Sequence, residues 1–404
     1  MHPMESLAPT ILFGAFDRHN FGDLLFPHIA AALLAGENLI FAGLVERDLR
    51  PYGGHMTRAL PLLAAELDGQ AANILHVGGE LLTCDVWQAA VMLLPPDQAQ
   101  ATIARLDAHP RERLTWAQDF LSCPQLAPYT LAPGLFEPKN PVVYNGVGGV
   151  GLASRDANFR TEVEAKLRAA DHIGVRDRIT LACLAAAGIE ARLMPDPAVM
   201  VADLLGEEIS RHASEGETAQ VLETFPQGYI AVQFSADFGD DATLAEIAAQ
   251  LDQVSHATGL GIVFFRAGAA PWHDELDCYQ CTASRMQSPA VKIFTSLNLW
   301  AICALIAHSR AYCGSSLHGR IIAMAFALPR INLRHPSETS PQTKQEAYVT
   351  TWEEPGMPIT IEVSNIDQGL REAMAADPAA LRQKARALAS RYRMEFEIIR
   401  AKLK

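Results

Sequence analysis

The sequence predicts two successive α/β halves, each a parallel β-sheet covered by helices on both faces, followed by a long C-terminal helix. Three observations carry this. Short apolar, β-rich runs alternate with helix-patterned segments along the chain. Several of the runs end in glycines or a polar turn, where a crossover to a helix begins. The alternation breaks at one polar stretch and then restarts, and 404 residues are too many for one ordinary core.

In the first half, TILFGAF (10–16) reads as a strand, followed by the turn DRHNFGD and the helix-spaced LLFPHIAAALLA. NLIFAGLV (38–45), ANILHVGG (72–79), VVYNGVGG (142–149), HIGVRD (172–177) and ARLMPD (191–196) continue the strand series. The polar run GEEISRHASEGET, with the residues to Pro226, reads as a linker. Strands resume at GYIAVQFS (228–235), GIVFFR (261–266), VKIF (291–294), RAYCGS (310–315) and RINL (330–333), with helices over 241–258 and 317–327. The expected organisation is a Rossmann-like domain over 1–205, a linker over 206–226, a second Rossmann-like domain over 227–370 and a C-terminal amphipathic helix over 371–404. Within that last segment a helix is expected from Pro378, N-capped by Asp377. Leu381, Leu388, Tyr392, Phe396 and Ile399 recur at helical spacing, while Arg382, Lys384, Arg386, Arg391, Arg393, Arg400, Lys402 and Lys404 load the other face. The favoured expectation is a stripe packed on the body with its charges solvated; the sharper one is peripheral contact with an anionic membrane surface.

Composition narrows the function classes. Hydrophobic residues make up 49% and charged residues 20%, as in a packed globular protein. A formal net charge of −13 argues against nucleic acid as the main partner, since phosphate contacts need a basic face. The start, MHPMESLAPTILFGAF, lacks a basic segment followed by a long apolar one, and no run approaches the roughly 20 apolar residues of a membrane span, so a cytoplasmic location is expected. Seven scattered cysteines fit a reducing compartment. The pair Cys278/Cys281, with His273 nearby, falls short of a metal-binding set, and no metal or cofactor is expected.

In open parallel sheets ligands bind beyond the carboxyl ends of the strands. Six turns qualify. The loop from Gly14 to Asp23 offers Asn20, Gly22 and Asp23 to sugar hydroxyls; its competing role is a capped turn. Gly78, Gly79 and Glu80 follow a strand, with Glu80 a candidate base or merely a helix-start carboxylate. Residues 145–151 carry four glycines, all within the six positions 146–151, a candidate lid or acceptor-side wall or a simple flexible turn. Arg176 places a guanidinium at a strand end, suited to a carboxylate or phosphate, with Asp177 as the cap of the following helix, although composition alone favours a surface Arg–Asp pair. Asp196 lies between two prolines, as a hinge anchor or a catalytic carboxylate. The most informative turn is Gly314, Ser315, Ser316, Leu317, His318, Gly319 and Arg320, where small residues at a helix start suggest an anion cradle beside an imidazole. Arg330 and Arg334 would add positive charge there.

These pieces, in this order, resemble the polysaccharide pyruvyl transferase family. The matching residues are Gly14, Asn20, Gly22 and Asp23; Gly78 and Gly79; Val175, Arg176 and Asp177 with Leu181, Gly188 and Ile189; Asp196, Pro197 and Ala198; and Ser316, Leu317, His318 and Gly319 with Ile322, Ala323 and Pro329. The similarity spans roughly 10–335. The resemblance implies a glycosyltransferase-B-like pair of domains, phosphoenolpyruvate as donor and co-substrate, and a saccharide acceptor, on a surface polysaccharide or a lipid-linked precursor, that receives pyruvate as a ketal. By that resemblance Arg176 and His318 match positions linked to the donor, and the turn 314–319 would hold its phosphate or carboxylate; together with the reading of the turns above, His318, Arg176 and Asp23 are expected in catalysis, residues 314–320 at the donor, and Asn20, Gly22, Gly78, Gly79 and Glu80 at the acceptor. Many members carry arginine where this chain has Ser316, and Arg320 is the expected substitute. The rival readings are a nucleotide-sugar glycosyltransferase of the same architecture and a catalytically silent saccharide-binding protein.

Overall fold

The computed structural model describes residues 8–67, 70–136, 140–340, 342–353, 356–358 and 360–403. The first seven residues, part of the start read above for a leader, and Lys404 of the basic face lie outside them. The chain forms two compact units. Unit 1 holds the residues up to His19, Asp23–Pro197 and Arg391 onward; unit 2 holds Asn20–Gly22 and Ala198–Ser390.

Unit 1 is built on strands β1 Thr10–Phe13, β2 Leu39–Gly43, β3 Arg47–Asp48, β4 Met56–Ala59, β5 Asn73–His76, β6 Val142–Val147, β7 His172–Val175 and β8 Arg192–Leu193. Their order in the sheet is β3-β4-β2-β1-β5-β6-β7-β8. Every pairing is parallel except β3 with β4 at one edge. β1, β5, β6 and β7 are buried along their whole length, which is why they read as continuous apolar runs rather than as alternation. Ile11, Phe13, Ile74, Val142 and Tyr144 anchor the core with Val86, Trp87 and Val163 from the covering helices.

Unit 2 repeats the plan with β9 Tyr229–Gln233, β10 Gly261–Phe265, β11 Val291–Phe294, β12 Ala311–Gly314, β13 Arg330–Arg334 and β14 Ile361–Glu362, in the order β11-β10-β9-β12-β13-β14, all parallel. Ile230, Val232, Ile262, Phe264 and Cys313 pack on Leu244, Ile247, Leu251 and Leu370. The two parallel-sheet α/β units are as the sequence predicts.

The boundaries differ in three places. Residues 206–226, read as a linker, lie within or beside the helices Val201–Ala213 and Gly216–Thr224, and unit 2 already begins at Ala198. Ile209, Thr218 and Val221 are buried there, so the polar residues form the outer faces of packed helices. Three helices, Val86–Met92, Pro96–Leu106 and Pro110–Leu121, fill the stretch between β5 and β6 that the strand pattern left unassigned. The last helix, Pro378–Lys402, is shared: its first turns belong to unit 2 and Arg391 onward to unit 1. Asp377 accepts from the Ala379 amide at 2.9 Å, as a capping residue does.

The apolar stripe of that helix is buried at Leu381, Leu388, Tyr392, Phe396 and Ile399. In unit 1, Tyr392 Oη meets the Asn145 side-chain amide at 2.9 Å, Asn73 donates to the Leu403 carbonyl at 2.6 Å, and Arg192 pairs with Glu395 at 2.9 Å. No helix among the described residues is long and apolar enough to cross a membrane. Phe396→Ala is expected to cost about 3–5 kcal/mol, the usual loss for a fully buried phenylalanine, read as a lower urea midpoint for unit 1.

Candidate functional site

Each unit gathers polar side chains at the carboxyl ends of its central strands. In unit 1, Arg176 follows β7 with its side chain buried. Its Nη1 donates to Asp196 Oδ2 at 2.9 Å and its Nη2 to Glu80 Oε2 at 2.6 Å. Burial alone would lower the guanidinium's pKa, but the charges of Glu80, Asp196 and Asp177 hold it above its ordinary value. Arg176 is thus neither a surface pair nor an open anion clamp: two carboxylates already complement it. Asp177 caps the helix Arg178–Ala186, accepting from the Thr180 amide at 2.7 Å and its hydroxyl at 2.9 Å.

Glu80 also accepts from the Val150 amide at 3.1 Å. A Cβ at Gly148 would lie 2.3 Å from Glu80 Oε2 and 2.7 Å from Arg176 Nη2, so that glycine makes room for the ion pair. The segment 145–151 is accordingly pinned and is no lid. Gly148 donates to the Gly79 carbonyl at 2.8 Å, and Gly149 donates to Thr180 Oγ1 at 3.0 Å. Gly78 and Gly79 adopt φ of 132° and 99°, which only glycine tolerates readily. The Asp23 carboxylate approaches to 3.2 Å of where a Gly79 Cβ would stand, and it faces Arg18 at 3.8 Å. Asp23, Gly78, Gly79, Glu80 and Arg176 therefore belong to one edge. Sequence reasoning missed its neighbours Asp17, Arg18 and Tyr129: Tyr129 donates to Asp17 at 2.7 Å and receives from Arg18 at 3.1 Å.

In unit 2 the edge is organised by Gln233, the last residue of β9. Its Oε1 accepts from the Ser316 amide at 2.8 Å, and its Nε2 donates to Asp274 at 2.8 Å. Ser315 donates its amide to the Gln233 carbonyl at 3.1 Å, and its hydroxyl accepts from the Ser235 amide at 3.0 Å. Ser316 is the N-cap of the helix Leu317–Ala325, its hydroxyl accepting from Gly319 at 3.2 Å. The amides of 315, 316 and 319 are therefore committed within the protein, and the expected backbone cradle is narrower than the sequence implies. Gly314 and Gly319 serve packing: a Cβ on either would come within 2.5 Å of the Tyr312 side chain.

His318 lies in the first turn of that helix with only 8% exposure. Its ring rests on Gly22, where a Cβ would stand 2.0 Å from Nδ1. Asn20 and Gly22, expected on the acceptor side of the first domain, pack with unit 2 instead. The Asn20 side-chain Oδ1 accepts from the Gly22 amide at 3.1 Å, and its Nδ2 meets His273 Nε2 at 3.0 Å. His273 Nδ1 lies 3.0 Å from the Pro271 carbonyl, so the neutral ring donates there and Nε2 accepts from Asn20. Asn20 is thereby a structural clamp that shapes the wall behind His318.

Arg320 does not replace the arginine absent at Ser316. It is fully buried, donating to Glu353 at 2.8 Å, the Pro358 carbonyl at 3.0 Å and Asn332 at 3.3 Å. Burial lowers its pKa against the pull of Glu353. Arg330 grips the same carboxylate, and Arg334 pairs with Glu346 at 2.9 Å. The helix geometry explains this: Arg320 is at the fourth helical position, facing β13 rather than the loop. Cys278 is buried and Cys281 exposed in the helix Leu276–Arg285, and no group of three or more potential metal ligands occurs among the described residues.

Two parallel-sheet units with polar strand ends define a glycosyltransferase-B-like α/β protein. The sequence profile of the polysaccharide pyruvyl transferase family matches residues 20–337, and the chain belongs to that family. A comparison with curated proteins finds no match. Among solved structures the chain is similar to the UDP-N-acetylglucosamine 2-epimerase from Rickettsia bellii, at 10% identity and a TM-score of 0.54, covering 99% of this chain and 97% of that one. It is also similar to the UDP-GlcNAc 2-epimerase from Methanocaldococcus jannaschii, at 12% identity and a TM-score of 0.52, covering 95% and 99%. At such identities the likeness concerns the fold alone.

Glu353 compensates two buried guanidiniums, so Glu353→Gln is expected to destabilise unit 2 by about 3–5 kcal/mol, measured by urea denaturation. Burial pushes Asp274 up from 3.8 to about 7. The folded state therefore holds a proton that the unfolded chain has released between those values, and this contribution to stability is lost as pH rises through about 7. Urea midpoints of the wild type relative to Asp274→Asn should fall across that window; a pH-independent difference would refute the assignment.

Proposed function

We propose that the protein transfers pyruvate from phosphoenolpyruvate to a saccharide acceptor as a ketal, with His318 as the proton donor. The observation that carries the reading is the family match across 20–337, which includes the turn from Ser316 to Gly319 at the start of a helix. The held imidazole supports it: Gly22 leaves the ring just enough space on one face.

The chemistry follows from the enol phosphate. Imidazolium delivers a proton to the methylene carbon, which becomes a methyl group, and the adjacent carbon becomes electrophilic. One acceptor hydroxyl oxygen bonds to that carbon and gives its proton to a base. Phosphate then departs with the electron pair of its C–O bond. The second hydroxyl closes the ketal, and its proton leaves through the base that now faces it. The products are the ketal and inorganic phosphate, with no oxidant or reductant consumed. The reading needs no cofactor beyond the donor. It places the acceptor on a surface polysaccharide or its lipid-linked precursor, and the reaction in the cytoplasm or against the inner membrane face.

The test is release of inorganic phosphate from phosphoenolpyruvate that depends on added glycan, with mass spectrometry of the glycan for the ketal. Phosphoenolpyruvate left intact with every glycan of the host's surface polysaccharide would refute it. His318→Gln is expected to lower kcat by about 10²–10⁴-fold with the donor KM little changed. Gly22→Ala should do the same by displacing the ring, while circular dichroism stays native.

A further inference from the structure

A donor that carries both a phosphate and a carboxylate needs a cation, and the arginines expected to supply it are engaged elsewhere. Arg176 is held by Glu80 and Asp196, Arg320 and Arg330 by Glu353, and Arg334 by Glu346. Arg18 faces Asp23. Arg266 is different. Among the described residues its guanidinium has no carboxylate within ion-pair distance, and its Nε is buried with no hydrogen-bond acceptor, although the residue as a whole is partly exposed. Leaving a buried charged donor unsatisfied is costly and calls for a reason.

Its position gives one. Arg266 is the first residue beyond β10. Phe264 is in register with Val232, and Val232 with Cys313. Two residues further along each strand, Arg266 stands level with Ser315, two strands across the sheet, or about 10 Å at the usual strand spacing. The residues after Arg266 are fixed by the same hydrogen bonds that fix the Ser315–His318 turn. Asp274 accepts from the Ala267 amide at 2.6 Å and from Gln233, and Gln233 accepts from the Ser316 amide. One chain of bonds thus sets both loops, so the backbone that carries Arg266 is held in a defined place relative to the second.

We propose that Arg266 is a binding residue for an oxyanion, phosphate or carboxylate, of the small-molecule donor. The inference rests on the reading under Proposed function, which it extends by naming the cation. Arg266 makes no ion pair among the described residues, so its replacement breaks no charge cluster there.

The test compares wild type, Arg266→Ala and Arg266→Lys by calorimetry with phosphoenolpyruvate, inorganic phosphate, pyruvate and a nucleotide sugar, with melting temperatures alongside. Arg266→Ala is expected to weaken phosphoenolpyruvate by about 10- to 100-fold, the effect of one charge-assisted hydrogen bond, with the melting temperature unchanged and Arg266→Lys intermediate. Selective loss of inorganic phosphate places Arg266 on the phosphate; selective loss of pyruvate places it on the carboxylate. Unchanged phosphoenolpyruvate affinity in Arg266→Ala overturns the inference and leaves the proposed function standing. A lowered melting temperature with unchanged affinity also overturns it. A wild type that ignores phosphoenolpyruvate but binds a nucleotide sugar through Arg266 overturns the proposed function and keeps Arg266 as an oxyanion ligand. Binding of none of these compounds overturns both. If the alanine variant does not fold, Arg266→Gln, which retains most of the stem, gives the same comparison.

Discussion

Buried arginine–carboxylate clusters order both units, at the carboxyl ends of the strands in unit 1 and between the helix after β12 and the start of β13 in unit 2. In unit 1 Arg176 ties Glu80, which follows β5, to Asp196, which follows β8. In unit 2 Glu353 holds Arg320 from the helix after β12 and Arg330 from β13. Such clusters are weak sources of net stability, because desolvation offsets most of the attraction. They are strong sources of geometry, because removing one member strands a charge in a dry place. In unit 1 the carboxyl strand ends are thereby tied to one another, and in unit 2 the helix after β12 is tied to the start of β13.

Small residues follow from that arrangement. Gly148 exists where Glu80 and Arg176 meet, Gly22 where the His318 ring lies, and Gly319 where Tyr312 passes beneath the turn. Read as a string, these glycines suggest room for a ligand. In space, the protein's own side chains occupy the room. The same holds for backbone amides: Gln233 and the Ser316 hydroxyl take donors that a bare helix start would offer. The His318 imidazole stands in the first turn of that helix, against Gly22.

The strand series was legible because buried parallel strands are continuous apolar runs, and all eleven expected strands are present with small shifts at their ends. β3, β4 and β14 were not, since short strands at or beside a sheet edge, such as Arg47–Asp48, carry no periodic pattern. The helices in 201–224 were hidden because their polar outer faces dominate the composition, while Ile209 and Val221 point inward. At the site, the turns were legible as turns. Their partners were not, because Glu80 lies 96 residues from Arg176 and Glu353 lies 33 from Arg320.

The order of elements, the parallel sheets, the apolar stripe of the last helix and the family were determined by the sequence alone, since each is local periodicity or an ordered set of short motifs. The tertiary structure decided the pairing of each candidate side chain: Arg176 and Arg320 matched by carboxylates, Asn20 clamped, Asp274 raised by burial, Arg266 without a carboxylate partner among the described residues. The reason is physical. Solvation and pairing of a charged group depend on what folding brings within a few ångströms of it, and residue type and spacing do not encode that distance.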